Sequence, residues 1–303
     1  MSNLEANLVF VVGAMKAGTS TLCSDLSKHP AVYGPTLKEP FFLIKDWSGD
    51  RIKRQYEIHF DKAPPGSLLV DGSTGYTMRP DYVDAAQTAK KIGIDPKIII
   101  YLVRDPFSRI VSHFHHSVGS GDMSTDFQVA LREDKRLINY SRYYHQIRPW
   151  LDAFGAEKVH IVTMDYWVKN RIEVAAQLFT AMGLDPVVDG IDTKDVKNVG
   201  SRSRIPPTLG RYVRKYLHGD RYRQVRNLTP IAIRQLFLRV LGQPSPKPTA
   251  EFTDEDLEFV WSQLEGELSS IAPYIRHPLT DQRTIWSRSA LFANHRILNP
   301  TSS

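Results

Sequence analysis

The first residue with clear chemical potential is Lys16, which stands between two glycines after an apolar run. Residues 8–12 are apolar, and Gly13, Lys16 and Gly18 follow. Glycines allow backbone N–H groups to approach an anion closely, and the N-terminus of a helix adds partial positive charge. The pattern therefore predicts a buried strand that leads into a phosphate-binding loop and then into a helix.

The position of the lysine distinguishes this loop from that of nucleoside-triphosphate-binding proteins. In the Walker pattern, lysine directly follows the second glycine. Here the glycines keep the Walker spacing, but Thr19 occupies the lysine position and Lys16 lies in the middle of the loop. We therefore expect the cation to contact a different part of the bound anion.

A second group of polar residues follows another apolar run, residues 98–103. Arg104 comes directly after this run, and Pro106 and Ser112 follow. Arginine offers a planar fork that suits phosphate oxygens, and proline is favoured in the first turn of a helix. Because parallel α/β sheets bind ligands at the carboxyl ends of their strands, we expect Arg104 to lie at a ligand-binding edge, with Ser112 on the helix that begins there.

These two motifs resemble those of the sulfotransferases that use 3′-phosphoadenosine 5′-phosphosulfate (PAPS) as sulfuryl donor. The resemblance implies that Arg104 and Ser112 bind the 3′-phosphate of PAPS. It also implies that Lys16 binds the phosphosulfate and stabilises the charge that grows on the bridging oxygen as the sulfuryl group leaves. The loop residues implied in donor binding are Lys16, Ala17, Gly18, Thr19 and Ser20.

Further segments resemble the carbohydrate (heparan-type) branch of these enzymes, so that the resemblance covers most of residues 8–184. Residues 37–42 are similar to an acidic-aromatic segment whose glutamate is the general base, which implies this role for Glu39. The two phenylalanines that follow could desolvate Glu39 and raise its pKa. Residues 70–76 resemble the next segment, but the branch often carries lysine where this chain has Gly72 and proline where it has Thr74.

Two more residues enter the predicted site through the resemblance. His116 stands where part of the heparan-type branch has a histidine near the reaction centre, and Arg202 matches a later phosphate-binding loop. The base is therefore either Glu39 or His116. No metal is expected, because His113, His115 and His116 cannot share one face of a helix.

The order of predicted elements is that of an α/β protein with a mostly parallel central sheet flanked by helices, and the resemblance implies a P-loop-containing nucleotide hydrolase-like (sulfotransferase) fold. We predict one sulfotransferase domain over residues 1–303, with a donor-binding core (8–184), a basic segment (198–248), and a C-terminal helix and tail packed on the core (253–303). The last helix should begin at Thr253 with Asp256 as its capping-box partner, and Trp286 should dock on the core. The predicted strands are 8–12, 68–71, 98–103 and 159–163, and the predicted helices are 18–28, 81–92, 107–118, 142–154 and 171–182.

The composition predicts where the protein is located, but it does not decide the role of one basic stretch. The single cysteine, Cys23, excludes an intramolecular disulfide and should be a buried structural thiol. The longest apolar runs have the length of strands, and the N-terminus lacks the features of a signal peptide, so we expect a soluble cytoplasmic enzyme of bacterial type. The basic stretch 202–239 is either a solvated surface or a wall that holds an acidic acceptor or part of the donor.

The resulting hypothesis is a sulfotransferase that moves the sulfuryl group of PAPS to a hydroxyl or amine of an acceptor. The resemblance favours a carbohydrate acceptor; a lipid or a small-molecule alcohol stays open. The alternatives are a P-loop kinase or NTPase with a magnesium-binding strand end at residues 68–71, a nucleic-acid-binding protein that uses residues 202–239, and an inactive scaffold. The kinase lacks its lysine, and no RRM, KH, zinc-finger or helix-turn-helix pattern supports nucleic acid as a partner.

Overall fold

A computed structural model describes residues 4–34, 39–120, 122–193, 204–205, 243–244, 248–277 and 286–296. These residues fall in two compact units, which we describe separately. The first draws on Met1–Arg109, Ile138–Asn198 and Phe252–Ser303, and the second on Ile110–Leu137 and Val199–Glu251. The prediction of a single domain over the whole chain stays a prediction.

The first unit is built on a five-stranded parallel sheet with the strand order β2-β3-β1-β4-β5. Every residue of β1 and β4 is buried, as expected of central strands covered on both faces. The fold class predicted from the sequence is therefore confirmed. The strands are β1 (Leu8–Gly13), β2 (Val32–Tyr33), β3 (Leu68–Asp71), β4 (Ile98–Val103) and β5 (Val159–Thr163).

Helices connect and cover these strands, and short 3-10 turns lie at Phe42–Ile44, Thr74–Thr77 and Ala272–Tyr274. The helix predicted over 81–92 begins later, because the Asp84 side chain accepts from the Gln87 N–H and caps the helix there. The helices are α1 (Leu4–Asn7), α2 (Thr19–Leu26), α3 (Gly49–His59), α4 (Ala85–Lys91), α5 (Pro106–Gly119), α6 (Phe127–Glu133), α7 (Arg136–Asn139), α8 (Tyr143–Phe154), α9 (Met164–Lys169), α10 (Arg171–Ala181), α11 (Asp254–Ile271) and α12 (Arg288–His295).

Buried contacts hold the helices of the first unit to the sheet. Trp150 of α8 is 1% exposed, and its ring lies 5.5 Å from that of Phe10 on β1. A buried ion pair joins α2 to α10, because Arg171 donates to both carboxylate oxygens of Asp25 at 2.6 Å. Cys23 of α2 is buried, as predicted.

The helix predicted to begin at Thr253 is present, but it is not the last, because α12 follows it. Thr253 and Asp256 form the expected capping box at the start of α11, and one face of that helix is buried. The indole N–H of Trp286 donates to Asp165 at 3.0 Å, and its ring lies 6.2 Å from that of Tyr143. None of the described helices is both long and apolar enough to cross a membrane.

The second unit contains the later part of α5, helix α6 and a short antiparallel pair, β6 (Arg204–Ile205) and β7 (Gln243–Pro244). The ring of Phe114 on α5 packs on that of Phe127 on α6, with 5.0 Å between centroids. Nearly all of the basic stretch 202–239 lies outside the described residues.

Candidate active site

The candidate site lies at the carboxyl edge of the sheet, at the point where the chain changes the side on which it adds strands. From β1 the chain adds β2 and β3 on one side, and then adds β4 and β5 on the other. The reversal therefore lies between β1 and β4, which pair in parallel. In open α/β sheets, ligands bind at such a switch point, beyond the carboxyl ends of the strands. The two predicted phosphate motifs follow these two strands.

The loop after β1 presents the N-terminus of α2. Gly18 is the N-cap residue of α2 and has a φ of +96°, which favours glycine, and a Cβ there would lie 3.2 Å from the Trp167 ring. The first hydrogen bonds of the helix run from the Thr21 and Leu22 N–H groups to the Gly18 carbonyl. The N–H groups that precede them, those of Thr19 and Ser20, belong to the open end of the helix and suit an anion.

Lys16 has a backbone conformation that residues with a side chain rarely adopt. Its φ is +68°, in the left-handed region, and its side chain is half-buried. For a residue with a side chain, this conformation costs about 1–2 kcal/mol and persists where surrounding contacts impose it. Such strain is frequent in loops that hold a ligand.

Arg104 connects the end of β4 to this loop. Its guanidinium Nη1 donates to the carbonyl oxygen of Lys16 at 3.3 Å, and its own carbonyl accepts from the Tyr143 hydroxyl at 2.6 Å. The predicted cations of the two phosphate motifs are therefore brought to one crevice. Arg104 could have paired with the adjacent Asp105, but Asp105 accepts from the N–H groups of Phe107 and Ser108 instead.

His295 of α12 reaches the same strand end. Its Nε2 lies 2.6 Å from Oδ2 of Asp105, although the two residues are far apart in sequence. Burial acts to raise the pKa of the Asp105 carboxyl, but the hydrogen bonds and charge of His295 and the hydrogen bonds of Ser108 outweigh burial and leave it lowered. Asp105 thus stays ionised and caps the start of α5.

Glu39 follows the carboxyl end of β2 and is held by the turn after β3. The Thr74 hydroxyl donates to Oε1 of Glu39 at 2.9 Å. Phe41 is half-buried and Phe42 is buried beside it. The ring of Phe42 packs on those of Trp47, Tyr56 and His59.

A buried carboxylate, Asp71, lies at the end of β3 beneath this segment. Tyr56 and Tyr76 donate to its Oδ2 at 2.7 Å, and Ser73 donates to its Oδ1 at 2.6 Å. Burial raises the pKa of Asp71, the three hydroxyl donors oppose this rise, and the charge of Glu39 adds to it. Burial and the charge of Asp71 also raise the pKa of both tyrosines, so they remain protonated donors.

The remaining predicted residues fall in the second unit or outside the described residues. Ser112 is half-buried and His116 is exposed, both on the part of α5 that belongs to the second unit. His113 is buried, and His115 contacts the Pro248 carbonyl at 3.0 Å, so the three histidines do occupy different faces. Arg202 lies outside the described residues. In the described ranges, no cluster of His, Cys, Asp or Glu could hold a metal ion.

Sequence reasoning missed the residues that support the site. The contacts of Thr74 with Glu39, Tyr143 with Arg104, and His295 with Asp105 join segments that are 35, 39 and 190 residues apart. Only Thr74 left a signal in the sequence, since it departs from the proline that the heparan-type branch often carries.

Comparisons with known proteins show which families and folds this chain is similar to. Residues 89–198 match the family described as "Sulfotransferase domain". A "Bifunctional heparan sulfate N-deacetylase/N-sulfotransferase" of Drosophila melanogaster is 23% identical over 207 residues, which are 59% of this chain and 20% of that protein. A similar protein of Caenorhabditis briggsae is 23% identical over 189 residues, which are 56% and 22% of the two chains. The chain thus spans about a fifth of the length of the curated relatives that it matches.

Two solved structures share the fold. A sulfotransferase from Alicyclobacillus acidocaldarius superposes with a TM-score of 0.59 at 19% identity, covering 92% of this chain and 98% of that one. The sulfotransferase domain from the curacin biosynthetic pathway superposes with a TM-score of 0.50 at 17% identity, covering 86% and 98%. The fold and the open loop at its switch point define an α/β protein of the P-loop nucleotide hydrolase-like class. Within that class, residues 89–198 are similar to the sulfotransferase family, and the relatives and the two structural neighbours are also sulfotransferases.

Proposed function

We propose that this protein transfers the sulfuryl group of PAPS to a hydroxyl or amine of a carbohydrate acceptor and releases adenosine 3′,5′-bisphosphate. The observation that carries the proposal is the hydrogen bond from Arg104 to the Lys16 carbonyl at the switch point. A donor with phosphate groups on both sides of its ribose needs two phosphate-binding groups in one crevice. The loop after β1 and the end of β4 supply them, and Ser112 and Arg202 would add to the 3′-phosphate contacts.

Lys16 and the N-terminus of α2 have the charge that sulfuryl transfer requires. As the bond between sulfur and the bridging oxygen breaks, negative charge grows on the oxygen that stays with the 5′-phosphate. A fixed cation and helix N–H groups stabilise this charge more in the transition state than in the ground state. The uncapped first turn of α2 and the half-buried Lys16 fit this task.

Glu39 would remove the proton from the acceptor. The acceptor oxygen or nitrogen forms the new bond to sulfur, its proton passes to the Glu39 carboxylate, and the bond to the bridging oxygen breaks. The hydrogen bond from Thr74 engages one oxygen of that carboxylate. His116, on the second unit, is the alternative base.

A carbohydrate acceptor is supported by the segment around Glu39, which resembles the heparan-type branch, and by relatives named for heparan sulfate. Because this chain matches only a fifth of those relatives, the acceptor is part of the proposal. The cytoplasmic location and bacterial type expected from the sequence also stay predictions.

The kinase alternative is weakened by the contacts of Asp71. In that alternative the end of β3 would present a carboxylate to magnesium. Asp71 is 0% exposed, and three hydroxyl groups donate to its two oxygens. Thr19 also occupies the position of the Walker lysine.

The decisive experiment measures transfer from labelled PAPS to carbohydrate acceptors by wild-type protein and by Glu39→Gln. The glutamine keeps the shape of Glu39 but cannot accept the proton, so turnover should fall by about a hundred- to ten-thousandfold. Affinity for adenosine 3′,5′-bisphosphate should not change. Glu57→Gln, an exposed glutamate on α3, is the matched control and should retain turnover.

Two results would change the proposal. Full turnover in Glu39→Gln would move the base to His116, and His116→Ala should then show the loss. If neither variant slows transfer, the acceptor is already a good nucleophile, such as an acidic phenol, and the carbohydrate assignment fails. A thermal-shift comparison tests the donor separately, because the bisphosphate should stabilise the protein more than ATP with magnesium.

A further inference from the structure

The carboxylate of Glu39 has a hydroxyl partner that the sequence comparison did not lead us to expect. Thr74, where the heparan-type branch often has proline, donates to Oε1 at 2.9 Å. Thr74 is 4% exposed, so its hydroxyl is shielded from competing water. In the described ranges of the chain, it is the one donor to this carboxylate. A hydrogen bond to a charged oxygen restricts the rotation of the carboxylate.

The backbone around Glu39 is held in a conformation that it would not adopt by itself. Both Glu39 and Phe41 have a φ of +56°. This conformation is unfavourable for a residue with a side chain and persists only where its surroundings determine it. The Phe41 N–H donates to Ser73 Oγ at 3.1 Å, and Ser73 in turn donates to the buried Asp71. The direction of the Glu39 side chain is therefore set by the segment after β3.

The turn that holds Glu39 is also bonded to the strand that carries the phosphate-binding loop. Thr74 and Thr77 are the first and last residues of one 3-10 turn, and residues three apart in such a turn lie on the same side. The Thr77 hydroxyl donates to the Val12 carbonyl at 2.7 Å, directly before Gly13. One rigid turn thus joins the base to the loop that would bind the donor.

We propose that Thr74 is a positioning residue that orients the Glu39 carboxylate toward the acceptor; this inference rests on the proposed function of Glu39. The fixed Oε1 leaves the other carboxylate oxygen to accept the proton. The charged and titratable groups packed beneath this segment are Asp71, Tyr56 and Tyr76, which hydrogen-bond one another. Among the described residues, neither tyrosine hydroxyl is hydrogen-bonded to Glu39, so the orienting bond comes from Thr74.

The test compares Thr74→Val, which keeps the shape and removes the hydroxyl, with Thr74→Ser, which keeps the hydroxyl. For Thr74→Val, kcat should fall by about tenfold, while KM for PAPS should not change. Thr74→Ser should restore kcat, because it keeps the hydroxyl that orients the carboxylate. Thr180→Val, which removes an exposed hydroxyl on α10, is the matched control.

Several outcomes would overturn this role. Wild-type turnover in Thr74→Val would do so, as would a loss of turnover that Thr74→Ser does not restore, which indicates a packing defect. If Thr74→Val does not fold, Thr74→Ala replaces it, and the same comparison with Thr74→Ser applies. Glu39→Gln separates the two proposals: full turnover there refutes the base itself. If Glu39→Gln is impaired while Thr74→Val equals wild type, only the positioning role is wrong.

Discussion

Arg104 should discriminate between nucleotides with and without a 3′-phosphate, and Arg104→Ala should abolish that discrimination. The variant removes two contacts. One is the observed hydrogen bond to the Lys16 carbonyl, which at 3.3 Å is long. We assign it about 0.5–1 kcal/mol. The other is the proposed charge-assisted contact with the 3′-phosphate, which should contribute about 1.5–3 kcal/mol.

Calorimetry with two ligands separates these contributions. Adenosine 3′,5′-bisphosphate and adenosine 5′-monophosphate share the 5′-phosphate, so a disturbance of the loop after β1 weakens both equally. Only the bisphosphate carries the 3′-phosphate. We therefore expect the Kd of the monophosphate divided by the Kd of the bisphosphate to fall by about 10- to 150-fold in Arg104→Ala. Both ligands should also lose a smaller, equal amount of affinity. Arg148→Ala removes an exposed arginine on α8 and should leave both Kd values unchanged.

Either of two results would refute the reasoning. An equal loss of affinity for both ligands would mean that Arg104 acts only through the Lys16 carbonyl. Unchanged Kd values for both ligands would mean that Arg104 contributes to neither contact; in either case another residue holds the 3′-phosphate, and Arg202 would be the next candidate.

Three further changes test the site and its scaffold. Lys16→Ala should lower kcat by about a hundredfold or more with little change in bisphosphate affinity, and near-normal turnover would remove Lys16 from the mechanism. Asp25→Ala leaves the buried Arg171 without its carboxylate, so urea unfolding should show a loss of about 3–5 kcal/mol, against less than about 1 kcal/mol for the exposed Asp152→Ala. Burial and the charge of Arg276 lower the pKa of His160 from 6.5 to about 4. The unfolded chain then binds the proton more tightly, so stability should fall by about 1–2 kcal/mol as pH drops through this window, and His160→Gln should remove that dependence; an unchanged slope would contradict it.

The sequence predicted best those elements that are apolar throughout or carry a local signal. The bounds of β3, β4 and β5 agree with the prediction, and so does the capping box of α11. Helix α3 was missed because only Ile52 and Tyr56 are buried on it, too few for a clear period. Strand β2 is two residues long and has no pattern of its own.

The phosphate motifs could be predicted because each is continuous in sequence, whereas their supports are not. Arg104 and Lys16 follow apolar strands, and such strands predict a common sheet edge. The contact between them depends on β1 and β4 being neighbours, which no single segment encodes. The contact of His295 with Asp105 also could not be predicted, because it forms only when α12 packs beside the end of β4.

Gly72 is the departure from the heparan-type pattern that packing explains most directly. Its φ lies outside the left-handed region, but a Cβ there would lie 2.6 Å from Cys23 Sγ and 3.9 Å from Cys23 Cβ. Gly72→Ala should therefore cost about 1–3 kcal/mol of unfolding free energy. Cys23→Ala removes the sulfur and should cost about 1 kcal/mol.

The double variant decides whether these two positions are a matched pair. With alanine at both, the new methyl group meets Cys23 Cβ at an ordinary contact distance, so the double variant should be more stable than the sum of the single losses by about 1–2 kcal/mol in urea unfolding. This result would mean that a lysine at position 72 cannot be accommodated beside Cys23, and that the acceptor side of the site differs from that of the heparan-type branch for a steric reason. Additive losses would show instead that the end of β3 moves away from α2, and the packing around Cys23 would then not account for the glycine.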